Sequence, residues 1–189
     1  MWVAIEGVPG AGKTTTARLV ADRLSGSAAL EPSDRHPFLT EYYADPSRHA
    51  LTTELVFIAL HVHAMQSVEG ASTSVSDFSP GKDLLFGGLV MSERELEMLS
   101  RIYAEVWNGR RPDLVVFLDV PLAECRSRIA ARGRSFERDL DADQLEPILT
   151  AYREGLDELG HQQIVLKLTG REDPDEVSDL VVQAAQTSR

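Results

Sequence analysis

Cysteine is nearly missing from this sequence: one thiol, Cys125, stands in 189 residues. A single thiol makes no internal disulfide, so the fold must rest on its core, and a bacterial-type cytosol fits. Long apolar runs are also missing. Leu114–Leu118, among the longest, falls far short of the ~20 residues that span a membrane. No basic stretch leads into an apolar one at the start, so no secretory signal is expected. Positive charge is scarce, with 19 Lys and Arg against 30 Asp and Glu and a net charge of -11. Such a surface repels nucleic acid and anionic membranes on average, and neither is an expected partner. What is present is ordinary: 43% hydrophobic and 26% charged residues, with no repeat and no low-complexity linker. This excludes a wholly disordered chain and fits one folded domain over 1–189.

The apolar pattern alternates between two periods. Trp2–Glu6 reads as a buried strand, and a helix follows the glycine-rich stretch after it, to about Leu24. Strands are expected at Ser27–Leu30, Thr73–Ser76, Leu114–Asp119 and Ile164–Leu168. Helices are expected at Thr52–Glu69, Ser92–Trp107, Leu122–Arg132, around Leu145–Leu159, and at Glu176–Ala185. Ser92 and Glu95 form a capping box for the second of these. Strands alternating with helices predict an α/β fold with a mostly parallel sheet. The segment from Arg132 to about Asp143 breaks the pattern and has the length of a lid. It carries part of a basic cluster, Arg126, Arg128, Arg132, Arg134 and Arg138, five arginines within thirteen residues. Alone, such a cluster reads as a solvated helix face.

Residues 7–14, Gly7-Val8-Pro9-Gly10-Ala11-Gly12-Lys13-Thr14, match the phosphate-binding loop G-x-x-x-x-G-K-[ST] without deviation. Its glycines let successive backbone N–H groups turn inward on phosphate oxygens. The helix behind it offers its positive end to the same anion. Gly7, Gly10, Ala11, Gly12, Lys13, Thr14 and Thr15 are therefore the expected ATP-binding residues. Lys13 serves the β- and γ-phosphates, and the Thr14 hydroxyl serves Mg²⁺.

Three features in this order resemble the deoxyribonucleoside kinase family, in particular bacterial deoxyadenosine/deoxyguanosine kinases, from Val3 to about Leu159. They are the loop itself, Glu31-Pro32 after the second strand, and a lid pattern Arg128-x-x-x-Arg132-x-Arg134. Between them, His36-Pro37-Phe38-Leu39 and Tyr42-Tyr43-Ala44-Asp45-Pro46-Ser47-Arg48 are similar to a family block. The resemblance implies a three-layer P-loop kinase fold with a five-stranded parallel sheet, an Arg-rich lid, and a homodimer formed through helices. It makes Glu31 the general base toward a nucleoside 5′-hydroxyl, and gives Tyr43 and Glu137 the sugar 3′-hydroxyl. Arg128 then stacks on the adenine of ATP, Arg132 and Arg134 hold the transferring phosphate, and Asp77 lies near the metal. Plainer roles stand beside these: a helix-end charge for Glu31, packing for Tyr43, a lid salt bridge for Glu137, a helix cap for Asp77.

The base end departs from the family. Asp77-Phe78-Ser79 stands where an acidic-Arg-Ser sequence is usual, which removes an arginine that contacts the catalytic glutamate; Lys82 is the residue placed to restore part of that charge. Glu54 and His61 replace a base-reading Gln and Arg, His49 replaces a Trp, and Asp83 matches a base-reading Asp. Seven residues apart on a helix, Glu54 and His61 share a face and either read the base or pair with each other. As a carboxylate Glu54 only accepts, which favours a base edge with two donors, such as guanine.

The expectation is thus a cytoplasmic, ATP- and Mg²⁺-dependent nucleoside kinase with altered base selectivity. Its rivals are a thymidylate-kinase-like monophosphate kinase, a kinase for a non-nucleoside hydroxyl in specialised metabolism, and a non-catalytic nucleotide-binding module.

Overall fold

The computed structural model describes residues 1–134, 137 and 142–188. Of the stretch read as a lid, Ser135, Phe136, Arg138, Asp139, Leu140 and Asp141 lie outside the described residues.

Five parallel strands form one sheet in the order β2-β3-β1-β4-β5. They are β1 (Trp2–Glu6), β2 (Ser27–Ala29), β3 (Ser74–Ser76), β4 (Leu114–Asp119) and β5 (Gln162–Lys167). The α/β class and the five-stranded parallel sheet are as expected. β1 is buried along its whole length, because it lies between β3 and β4 with helices over both faces. Val3, Ile5, Leu114, Val116 and Leu118 anchor the core. The register sets Ala4 beside Ser76 and Glu6 beside Phe117, so the strands end together at their carboxyl edge. β2 and β3 lie on one side of β1 and β4 and β5 on the other, so the strand order switches at β1, and the carboxyl edge at such a switch is where ligands bind in open α/β sheets.

The helices are α1 (Lys13–Arg23), α2 (Leu39–Ala44), α3 (Pro46–Gln66), α4 (Lys82–Val90), α5 (Glu93–Trp107), α6 (Leu122–Arg132), α7 (Ala142–Gly155) and α8 (Pro174–Thr187). α5 starts on the expected capping box: the Glu95 N–H donates to Ser92 Oγ at 3.4 Å, and the Ser92 N–H to Glu95 Oε2 at 3.0 Å. α3 starts six residues before the expected Thr52, at Pro46. Asp45 accepts from the Arg48 N–H at 3.2 Å, and Pro46 takes the first helical position, where its missing donor costs nothing. α2 and α4 were not expected. Two adjacent glycines, Gly87 and Gly88, gave α4 a loop-like sequence; a Cβ at Gly87 would fit tightly, 3.1 Å from Met91 Sδ and 3.2 Å from Leu99 Cδ2. Among the described residues, no helix is long and apolar enough to cross a membrane.

Candidate active site

A cavity of about 860 Å³ opens at the carboxyl edge of the sheet. Gly10, Gly12, Lys13, Thr14 and Thr15 reach it from the loop after β1, Glu31 from the end of β2, and Asp77 from the end of β3. Tyr43, Glu54, Arg128, Arg132, Arg134 and Glu137 complete the expected residues on its wall. Gly7 and Ala11 shape the loop without lining the cavity, and Arg138 lies outside the described residues.

The phosphate loop closes through residues that only glycine can supply. Gly10 has φ +84°, and a Cβ there would lie 2.9 Å from the Cys125 carbonyl carbon of α6. Gly12, at φ +104°, caps α1. Lys13 Nζ donates to Gly7 O at 2.8 Å and arches over the loop. Burial lowers its pKa, and Lys82 lowers it further, against Glu6, Glu31 and Asp77. Thr14 Oγ1 donates to Asp77 Oδ2 at 2.5 Å, and the Glu31 N–H donates to Asp77 Oδ1 at 2.7 Å. Asp77, just beyond β3, thereby ties the segment after β2 to the first turn of α1. Burial and the nearby Glu31 charge raise its pKa.

Glu31 has two cationic partners on one oxygen. Oε2 accepts from Lys82 Nζ and from His61 Nε2, the latter at 2.9 Å, and Oε1 accepts from Ser33 Oγ at 3.1 Å. Burial alone would raise the Glu31 carboxyl. Lys82 and His61 outweigh it and hold the group well below the ordinary range. Lys82 thus supplies the charge that Phe78 cannot.

Two expected base-reading residues are not on the cavity wall. His61 and Asp83 are fully buried behind it, with His61 Nδ1 3.2 Å from Asp83 Oδ2. Phe78 covers the His61 ring at 4.0 Å between centroids, and Phe57 flanks it at 5.6 Å. These contacts turn the imidazole toward Glu31, so Glu54 does not pair with His61. Glu54 does line the cavity, buried, with Oε2 lacking a hydrogen-bond partner among the described residues. Burial first, and then the Asp83 charge, raise its pKa well above the carboxylate range. In its neutral form this carboxyl both donates and accepts, where the sequence reading of the position had it accept only.

The arginines converge from the opposite wall. Arg132 donates Nε (3.1 Å) and Nη2 (2.6 Å) to Glu137 Oε2, and Arg134 Nε pairs with Asp34 Oδ1 at 3.0 Å. Glu137 is buried between Arg132 and Arg134. Burial first, and then the Glu137 charge, raise the Tyr43 hydroxyl, and both residues line the cavity. Arg128 bridges Gly10 O (3.3 Å), Ala11 O (3.2 Å) and Gly170 O (2.5 Å), joining the phosphate loop to the loop after β5.

Sequence reasoning missed Glu6. It closes β1 fully buried, accepting from Tyr152 Oη at 2.7 Å and the Ser79 N–H at 2.5 Å. A lone charge ending an apolar strand directly before the loop was the available signal. Burial raises its pKa, while Lys82 and Lys13 pull it down.

A sequence model described as "Deoxynucleoside kinase" matches residues 3–187. The chain is 24% identical to a deoxyadenosine kinase of Dictyostelium discoideum over 99% of its own length and 80% of the relative's. It is 25% identical to a deoxyguanosine kinase of Bacillus subtilis over 84% and 79% of the two chains. The fold matches a deoxyadenosine kinase from M. mycoides solved with dCMP and dCDP, at TM-score 0.79 and 19% identity, over 99% of this chain and 100% of that one.

Proposed function

The chain belongs to the deoxynucleoside kinase family, and from that premise we propose how its cavity works: the γ-phosphoryl group of ATP passes to the 5′-hydroxyl of a nucleoside. One observation carries the reading. An ionised carboxylate, Glu31, stands on the same cavity as an intact phosphate loop and three arginines.

Phosphoryl transfer passes through a loose transition state, so catalysis is mostly positioning and charge stabilisation. Lys13, Arg132 and Arg134 supply positive charge around the transferring group. Glu31 accepts the hydrogen of the 5′-hydroxyl as that oxygen bonds to phosphorus and the bond to ADP breaks. Its depressed pKa makes it a weak base but keeps it ionised and ready to orient the nucleophile. Tyr43 and Glu137 serve the sugar, and the stretch over 132–143 serves as the lid. Thr14 and Asp77 would hold Mg²⁺: a hydroxyl beside a carboxylate suits an ion that takes few protein ligands and completes its shell with phosphate oxygens and water. When bound, the ion offsets charge on the phosphates.

Neutral Glu54 sets the base preference. One donor and one acceptor match an edge such as that of adenine or cytosine, and fit guanine's two adjacent donors poorly. The family reading also implies a cytoplasmic homodimer.

The test is ADP formation with Mg²⁺ against nucleosides, their monophosphates and non-nucleoside alcohols. Turnover on a nucleoside is expected, and turnover only on a monophosphate moves the protein to the thymidylate-kinase-like reaction. Glu31→Gln should lose about 10²–10⁴-fold in kcat while ATP binding survives; activity within a few-fold of wild type removes Glu31 as the base.

A further inference from the structure

We propose that His61 is a positioning residue for the reaction: from behind the cavity wall it fixes Glu31 Oε2, and Asp83 fixes His61 in turn. The inference rests on the kinase reading of the cavity.

The geometry is a buried chain. His61 Nε2 lies 2.9 Å from Glu31 Oε2, and Nδ1 lies 3.2 Å from Asp83 Oδ2. Both neighbours are carboxyl oxygens. A neutral imidazole has one N–H and satisfies only one of them; a doubly protonated ring donates to both. His61 is fully buried and its ring lies nearly parallel to that of Phe78, at 11°, so it has little freedom to turn. The chain crosses three segments: the end of β2, α3 and the first turn of α4.

The consequence for Glu31 is directional. His61 and Lys82 both bond Oε2, which leaves Oε1, held among the described residues only by Ser33 Oγ, with capacity for a substrate hydroxyl. Lys82 lines the cavity, where phosphate and substrate compete for it, whereas His61 does not. His61 therefore holds the carboxylate plane while ligands come and go. A group aimed in this way matters to rate more than to affinity, since small misplacements of a reacting group are costly.

A packing role predicts something different. If His61 only fills the space between Phe57 and Phe78, His61→Phe is the best-tolerated change. If it positions Glu31, the amide that keeps an N–H at the Nε2 place should rescue. A glutamine amide falls near that place, and an asparagine amide falls near Nδ1, facing Asp83.

The experiment compares kcat and KM of wild type, His61→Phe, His61→Gln and His61→Asn on the best nucleoside of the panel. His61→Phe is expected to lose about 10²-fold in kcat with KM for ATP within about three-fold. His61→Gln should recover most of that loss and exceed His61→Asn. A Phe variant at wild-type kcat, or Asn equal to Gln, overturns the inference and leaves the kinase reading intact. If the Phe variant does not fold, the Gln–Asn ranking still decides. A wild-type protein silent on every nucleoside overturns the kinase reading, and this inference with it.

Discussion

His61 binds its proton more tightly in the folded chain than in the unfolded one. Burial alone would lower its pKa, but Asp83 and then Glu31 raise it to about 9, against Lys82. His36, the other histidine that senses it, is itself lowered by burial and adds little charge. A raised pKa stabilises the fold fully below the unfolded value of about 6.5, and that contribution disappears as pH climbs through about 9. Relative to His61→Phe, wild type should therefore lose about 3 kcal/mol of stability across this window, read from denaturant midpoints at several pH values. A constant difference between the two proteins refutes a charged His61. Glu54 poses the complementary case, a carboxyl kept neutral. Glu54→Gln preserves one donor and one acceptor, so the ranking of nucleosides should stay the same and kcat/KM should remain within a few-fold; a switch away from guanosine-type acceptors would mean that the wild-type group is ionised. Both positions were legible by spacing. Their partners were not, because protonation and ring direction depend on α4, which brings Lys82 and Asp83 against them.

Elements differ in how openly the sequence displays them. β4 and α5 were legible nearly to their last residue, since a continuous apolar run and a capping box are local signals. α4 was not, because it is stabilised by α3, α5 and α7 rather than by its own propensity. The start of α3 was written in Asp45-Pro46 and went unread as a cap. The phosphate loop makes the sharpest prediction at this scale. Gly10→Ala combines an unfavourable left-handed backbone with a clash against the α6 backbone, a strain of roughly 1–3 kcal/mol at the least. It should lower the melting temperature and weaken ATP binding more than tenfold, roughly the equivalent of that strain, as seen by calorimetry. The contrasting variant is Ser92→Ala, which removes the α5 cap at a residue that does not line the cavity. It should cost about 1 kcal/mol and leave kcat unchanged; an activity loss there would tie the α5 terminus to the site.

At the scale of the whole molecule, the acid surplus and the anionic substrates are reconciled by segregation. The chain carries a net charge of -11, yet Lys13, Lys82, Arg128, Arg132 and Arg134 all face one cavity. The alternation of strands and helices made the fold class legible; Lys13, Lys82 and the arginine cluster were each legible as residues, but their convergence on one cavity was not, because α4, which brings Lys82 there, was not expected. The outer surface bears on assembly. On α5, Leu99 and Trp107 enter the core, but Met98 and Val106 are each 44% exposed, with Ile102 between them on the same face. Single exposed apolar residues are ordinary, whereas a stripe at four-residue spacing suits a helix–helix contact between two copies. Sedimentation should therefore show a dimer at micromolar concentration. Met98→Glu with Val106→Glu should give a folded monomer, because two opposed carboxylates would be buried unpaired on each side of a two-fold contact. A wild-type protein that sediments as a monomer, or a double variant that stays dimeric, places the interface elsewhere or removes it.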